Sequence, residues 1–326
     1  MRIEVLSCYE DYYCDDDEHK EESGSKTLKG MTMMLKKLSK LIVTGLLLMC
    51  FLVSASYADG VKKPITLATF PCADVVMSFK KFQPLVKYLK EETGLNIRLV
   101  APKDPAEFER AIKNEDIDFA FLDPHMYVRF ARLFDKGALI RALNREGATS
   151  QSGVVIARKD SNINKLEDLI GKSVMFGPKL SATKWVAATS LFEENGINID
   201  KDLKSYSNGG CCEDIAFNVY LKAVDAGVVC DHFLEEHSKR QQELGVDAKE
   251  LIVVWRTKPV PTRVFAARQG INNDIIARIN QALLRLDNNK PAHKKILYGA
   301  ELGGFQKAKD EDYNGIRMLI GAKPVE

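Results

Sequence analysis

The chain is poor in tryptophan and carries almost no net charge. Its 326 residues include two tryptophans, and 47 Lys and Arg set against 45 Asp and Glu leave a formal charge of +2. A balance this close gives no general electrostatic pull toward nucleic acid or an anionic membrane surface. Several catalytic signatures are missing. There is no Gly-x-Ser-x-Gly, no Gly-x-x-x-x-Gly-Lys-Ser/Thr loop and no His-Glu-x-x-His. Their absence removes the serine hydrolase, P-loop nucleotide and zinc peptidase readings. No Cys-x-x-Cys pair offers metal-ligand spacing. No internal repeat or low-complexity linker interrupts the chain after its N-terminal segment.

That segment is set aside before fold reasoning. Residues 31–58 read "MTMMLKKLSKLIVTGLLLMCFLVSASYA". Lys36, Lys37 and Lys40 precede an apolar stretch, Leu41–Ala55, of roughly 15 residues, short for a membrane span. Ser56 and Ala58 then stand at −3 and −1 of a small-x-small cleavage site. The expectation is a secretory signal peptide cut after Ala58. Residues 1–30 are acidic and precede it, so they read as a non-native leader or a disordered extension. Export places Cys72, Cys211, Cys212 and Cys230 of the mature chain in an oxidising compartment.

From Pro64 onward, short apolar runs alternate with amphipathic stretches. "PITLATF", "NIRLVAP" and "DFAFLD" read as strands. "VVMSFKKFQPLVKYLKEETG" has helical spacing and a C-capping Gly94. Asp104 and Pro105 mark an N-cap and first helical position, and Asp123 with Pro124 repeats the signal. This order predicts a parallel sheet covered by helices. The same grammar restarts after Ser152 with "SGVVIARKD", "KLEDLIG", "KSVMFG", "SATKWVAATSLFEENG", "CEDIAFNVYLKAV" and "DAGVVC". "ELIVVWRT" and "VFAAR" are further strands, followed by the helix "NNDIIARINQALLRL" and two short terminal helices. The organisation expected is α/β with two lobes, residues 59–151 plus 257–326 and residues 152–256. "SGVVIARKD" would lead into the second lobe and "LIVVWRT" out of it. A ligand would sit between the lobes near strand C-termini and helix N-termini. Trp185 and Trp255 read as core or hinge packing.

The stretch "FGPKLSATKWVAATSLF" combines a strand end, a Gly-Pro turn, two hydroxyl residues and a helix. Ser181 can cap that helix. The same first turn also offers unpaired N–H donors and a positive dipole end to an anion.

The blocks "PLVKYLKEETG", "DIDFAFLDPHMYV", "VVIARKDSNINKLEDLIGKSVMFG", "NGINIDKDL" and "AVDAGVVCDHFLE" fall in an order and spacing that resemble one family. They are similar to the periplasmic solute-binding proteins of phosphate, phosphite and phosphonate ABC transporters. The resemblance implies the type II periplasmic binding protein fold, two Rossmann-like lobes joined by hinge strands. It also implies that Ser181, Ala182, Thr183 and Lys184 hold a phosphorus oxyanion. Other positions depart from the family pattern. Cys212 falls where a histidine is expected, and His232 and Arg263 fall where acids hold the amine of an aminophosphonate. Asp123 replaces a glycine. An aminoalkyl phosphonate is therefore not the expected ligand.

The thiols leave two readings open. Cys72 pairs with Cys211 or Cys212, and Cys230 is a buried small residue; or the thiols face the ligand. The second reading carries an alternative function, a cysteine-based metalloid sensor acting with a histidine kinase. His125 and Tyr127 open a helix near the cleft. The candidate ligand set is thus Ser181, Ala182, Thr183, Lys184, Cys212, Cys211, His125, Tyr127, Cys72 and His232. No metal, cofactor or catalysis is expected. The expectation is a monomeric periplasmic binding protein that captures a small oxyanion and docks to an ABC permease.

Overall fold

Strand faces follow from alternating burial, and two helix starts from Asp-Pro punctuation. The computed structural model describes residues 63–71, 75–233 and 247–325. The leader, the signal-like segment and Cys72 lie outside the described residues. Those described belong to one contact unit that begins at Lys63.

The first half opens with β1 (Ile65–Thr69), α1 (Val75–Thr93), β2 (Ile97–Val100), α2 (Pro105–Lys113), β3 (Phe119–Leu122), α3 (Pro124–Phe130) and β4 (Ile140–Leu143). Gly94 takes φ +65° just past α1, the left-handed position expected of a C-cap glycine. Asp104 caps α2 by accepting from the Glu107 N–H at 2.7 Å. Asp123 caps α3 by accepting from the His125 N–H at 2.9 Å.

The chain then passes through β5 (Ser150–Gln151) into β6 (Gly153–Arg158), β7 (Ser173–Phe176), α4 (Ala187–Glu194), β8 (Ser205–Asn208), α5 (Cys212–Tyr220), β9 (Ala226–Cys230) and β10 (Leu251–Arg256). It returns through β11 (Val260–Pro261) to β12 (Val264–Ala267), α6 (Asn273–Leu284), α7 (Pro291–Gly299), β13 (Gly304–Lys307) and α8 (Asn314–Leu319).

The strands form two larger sheets, ordered β13-β4-β12-β3-β1-β2 and β10-β6-β9-β7-β8. Each is the sheet of one lobe. The crossover is the short antiparallel pair β5 and β11, with Val260 opposite Gln151. β6 and β10 are neighbouring strands inside the second sheet, so they flank the hinge and do not form it.

The sheets are mixed, which corrects the expectation of parallel sheets. β2 and β3 flank β1 in parallel, as βαβ connections require. β12 then inserts antiparallel between β3 and β4, and β6 runs antiparallel to β9. β12 and β6 each enter directly after a lobe crossing, without a helical crossover, and β13 runs antiparallel to β4 at the edge of the first sheet.

Alternation along β1 and β3 sends Leu67, Phe119 and Phe121 to one face, against α1, α6 and α7. Ala68, Ala120 and Leu122 face α2 and α3. β6 does the same in the second lobe, with Val155 and Ala157 on one face and Val154 and Ile156 on the other. "KLEDLIG" forms a 3₁₀ turn at Leu166–Leu169. Trp185 packs edge-on against Phe176. Trp255 does not pack in a core: it is exposed on the edge strand β10.

Candidate functional site

The helix start singled out by sequence is a sealed contact between lobes. Ala182–Val186 forms one wide π turn before α4, with the Val186 N–H bonded to the Ser181 carbonyl at 3.1 Å. Such turns recur at functional sites. Ser181 Oγ accepts from the Lys184 N–H at 3.2 Å, the ordinary capping bond. Thr183 is 1% exposed, and its Oγ1 accepts from Gln151 Nε2 at 3.0 Å. Its carbonyl lies where a Cβ on Gly153 would have to be, so the turn is wedged against β6. Lys184 is 2% exposed. Its stem fills the space that a Gly177 side chain would need, and its Nζ donates to the Gly210 carbonyl at 3.0 Å.

A carboxylate from the other lobe occupies this helix start. Asp123 Oδ1, which caps α3 in lobe 1, also accepts from the Ala182 N–H at 2.8 Å. Burial pushes the Asp123 carboxyl up to about 6, partly offset by the His125 and Ala182 N–H groups, Arg263 and Lys184. Leu180 joins the lobe 1 core beside Tyr127 and Phe130. Ala182 and Ala187 pack with Val260 and Ile316. The residues expected to hold the oxyanion are therefore buried, with the Ala182 and Lys184 N–H groups already bonded within the protein.

The open space lies beside them. A cleft enclosing about 970 Å³ of empty space, partly open to solvent, separates the lobes. Lobe 1 lines it with Phe70, Lys81, Phe82, Leu143, Arg145, Thr262, Arg263, Glu301 and Leu302. Lobe 2 contributes Cys211, Cys212 and Glu213 from the start of α5, with Cys230, His232 and Phe233, and the hinge contributes Gln151. α5 spans nine residues. The N–H groups of Cys212 and Glu213 in its first turn have no carbonyl four residues back to bond within the helix. The Gly210 carbonyl just before them is the one held by Lys184.

Glu301 sits on the opposite wall, two residues past α7, at φ +60°. A non-glycine residue there costs roughly 1–2 kcal/mol. Its carboxylate meets Lys81 Nζ at 2.6 Å. Burial pushes the Glu301 carboxyl up, but Lys81, Arg263 and His232 bring it below the usual range. The Arg263 guanidinium lies over the Phe121 ring, 5.8 Å from its centroid. Arg145 donates to the Tyr298 carbonyl at 3.1 Å.

Cys211 caps α5, its Sγ accepting from the Asp214 N–H at 3.5 Å. Cys212 Sγ accepts from the Cys230 N–H at 3.3 Å. A hydrogen bond from the Cys212 thiol to Cys230, and then burial, push the Cys212 pKa well above the usual thiol value. A neutral thiol is a poor nucleophile and a poor metal ligand. Cys211, Cys212 and Cys230 form no disulfide with one another. Among the described residues no three His, Cys, Asp or Glu side chains converge as a metal would require. The disulfide expected of Cys72 lies outside the described residues.

The cleft thus gathers Cys211, Cys212 and His232 of the expected set. It does not gather Ser181, Ala182, Thr183, Lys184, His125 or Tyr127. Tyr127 is fully buried behind the lobe 1 sheet. Its hydroxyl donates to Asp310 at 2.8 Å, where Asp310 also pairs with Lys136 and Arg317. Burial and that carboxylate raise the Tyr127 pKa. His125 is half-buried, and burial and Arg129 lower its pKa. Lys81, Arg145 and Glu301 were not singled out by sequence reasoning. Arg263 was, but as the loss of an acid.

A model of the family described as "ABC transporter, phosphonate, periplasmic substrate-binding protein" matches residues 67–313. The chain is similar to the phosphate-import protein PhnD of Mycolicibacterium smegmatis, 24% identical over 281 residues that cover 80% of this chain and 86% of that one. It is also similar to the phosphonates-binding periplasmic protein of Escherichia coli, 21% identical over 299 residues, 90% of this chain and 87% of that one. The structure of PhnD1 from Prochlorococcus marinus in complex with methylphosphonate superposes with a TM-score of 0.70 at 17% identity, covering 79% of this chain and 97% of that one. At that identity the likeness concerns the two-lobed fold.

Proposed function

The chain belongs to the periplasmic substrate-binding proteins of phosphonate ABC transporters, and from that premise we propose that it captures a small phosphorus oxyanion in the cleft at the start of α5. The observation that carries this reading is the meeting, across one cleft, of the first turn of α5 with Lys81, Arg145 and Arg263. First-turn N–H groups and the helix dipole favour an anion. Guanidinium groups bind tetrahedral oxyanions in pairs of hydrogen bonds. Lys184 supports this wall from behind through the Gly210 carbonyl, and Thr183 through Gln151. Ser181, Thr183 and Lys184 therefore act on the ligand indirectly.

Capture draws the lobes together about β5 and β11, and the closed form docks to an ABC permease. Residues 31–58 export the chain, which acts as a monomer with no catalytic step. The thiol geometry gives no support to the sensor alternative, because among the described residues no three His, Cys, Asp or Glu side chains converge.

The test is a thermal-shift and calorimetric panel of phosphate, phosphite and methylphosphonate on the purified protein. A ligand that binds the folded state raises Tm by mass action. A clear rise with at least one of these anions, lost in Arg263→Gln, is expected. No rise with any of them would contradict the reading.

A further inference from the structure

Two of the thiols in the lobe 2 wall are placed to react with each other. Cys212 opens α5 and Cys230 ends β9, 18 positions further along the chain. Both line the cleft, and both belong to the apolar cluster in which α5 packs on β6 and β9. Cys212 Sγ accepts from the Cys230 N–H at 3.3 Å, and the Cys212 thiol donates to the Cys230 side chain. A sulfur that meets both the backbone and the side chain of another cysteine brings the two Cβ atoms close together, as a disulfide requires. Cys211 is turned elsewhere, its Sγ accepting from the Asp214 N–H of its own helix at 3.5 Å.

The two thiols differ in access. Cys212 is buried and Cys230 is half-buried, so an oxidant entering the cleft meets Cys230 first. The buried, neutral Cys212 is a poor first nucleophile. Its part comes second, in a step within one molecule, where proximity offsets low reactivity. The family to which the chain belongs is periplasmic, and disulfides form and persist in the periplasm.

We propose that Cys212 and Cys230 are a dithiol that closes to a disulfide, joining the start of α5 to the end of β9. The step is thiol–disulfide exchange with an organic disulfide, R–S–S–R. Cys230 attacks one sulfur of that bond, forms a mixed disulfide and releases R–SH. Cys212 then attacks the Cys230 sulfur and releases the second R–SH. The two cysteines lose two electrons, the S–S bond of the oxidant gains them, and the two thiol protons leave on the released thiols. The new bond staples together two elements that carry the lobe 2 wall, whichever anion enters the cleft.

The experiment exposes the full purified protein to oxidised glutathione, alkylates the remaining thiols and maps the linked peptides by mass spectrometry with fragmentation. A bond between Cys212 and Cys230 is expected, reversed by dithiothreitol. Cys211→Ser should keep it and Cys212→Ser should lose it. Should either variant fail to fold, the fragment ions of the wild type assign the linkage on their own. The oxidised wild type should melt about 5 °C or more above the reduced form, because the cross-link restricts the unfolded chain. Cys212 and Cys230 both still open to alkylation after oxidation would overturn the inference. So would Cys230 arrested as a glutathione adduct, or a bond from either residue to Cys211 or Cys72. A Cys212–Cys230 bond that lowers Tm would overturn it too, since the native geometry would then oppose the bond.

Discussion

Lobe 2 presents two helix starts near the cleft, and they have opposite fates. The first, Ser181–Lys184, has hydroxyls, a lysine and a Gly-Pro turn before it, yet its N-terminal donor at Ala182 is taken by Asp123 of the other lobe. The second, Cys211–Glu213, has thiols in place of hydroxyls, yet it opens into the cleft opposite three cations. Both starts are capped from within the protein, the second by Cys211 Sγ accepting from the Asp214 N–H at 3.5 Å and by Asp214 Oδ2 accepting from the Gly210 N–H at 3.0 Å; what separates them is that the first is reached from the other lobe. One carboxylate at position 123 is enough to turn the better-equipped start into a joint between lobes.

The largest expected effect comes from disabling the open start. Arg263→Gln removes a guanidinium from the wall facing α5. Charge-assisted contacts contribute about 1.5–3 kcal/mol each, so oxyanion Kd should rise by about ten- to a hundredfold by calorimetry. Its ring neighbour Phe121 lies in the core, so thermal stability should fall far less than affinity.

The sealed start is sharpened by Asp123→Asn. The folded carboxyl stands at about 6 against an ordinary 3.8. A raised acid stabilises the fold fully below its unfolded pKa, and that share is lost as pH rises through the folded value. Over that window the ionised, buried carboxylate costs about 3 kcal/mol. Wild-type stability should therefore fall between pH 4 and pH 7, and the Asn variant, which keeps an acceptor for Ala182, should flatten that slope. Parallel urea-unfolding curves of the two proteins across this range would show that Asp123 is not the internal anion described here.

Gly177→Ala probes the support between the two starts. A methyl there collides with the Lys184 stem and should cost about 1–3 kcal/mol as overpacking. It should also weaken oxyanion binding, because Lys184 no longer fixes the Gly210 carbonyl. The smallest effect is expected of Thr183→Val, which removes the acceptor for Gln151 Nε2. A loss of about 1 kcal/mol in chemical unfolding, with affinity changed by less than about threefold, would fit a residue behind the wall.

Much of the fold could be read from local chemistry. Asp104-Pro105, Asp123-Pro124 and Gly94 mark helix ends because caps depend on residues adjacent in sequence. β12 running antiparallel between β3 and β4 could not be read that way, since no residue of "VFAAR" carries the direction of its neighbours. β8 was missed because "SYSN" lies at a sheet edge with little apolar surface. The site was less legible than the fold. Lys81 is one of two adjacent lysines on an amphipathic helix, and only its pairing with Glu301, far along the chain, sets it apart. Glu301 carried a faint signal: an acid, not a glycine, at a helix end just before Gly303 and Gly304. Asp123 was recognised as a cap, and the structure adds that the same oxygen also caps a helix in the other lobe.

The central claim is that the oxyanion docks at the start of α5 and not at the start of the Ala182 turn. The most direct test is a methylphosphonate titration of the ¹⁵N-labelled protein followed through its amide resonances. The account predicts the largest shifts at the Cys212 and Glu213 amides, with Ala182 and Thr183 little moved and Asp123 still in place. Dominant shifts at Ala182, Thr183 and Lys184, accompanied by release of Asp123, would contradict it.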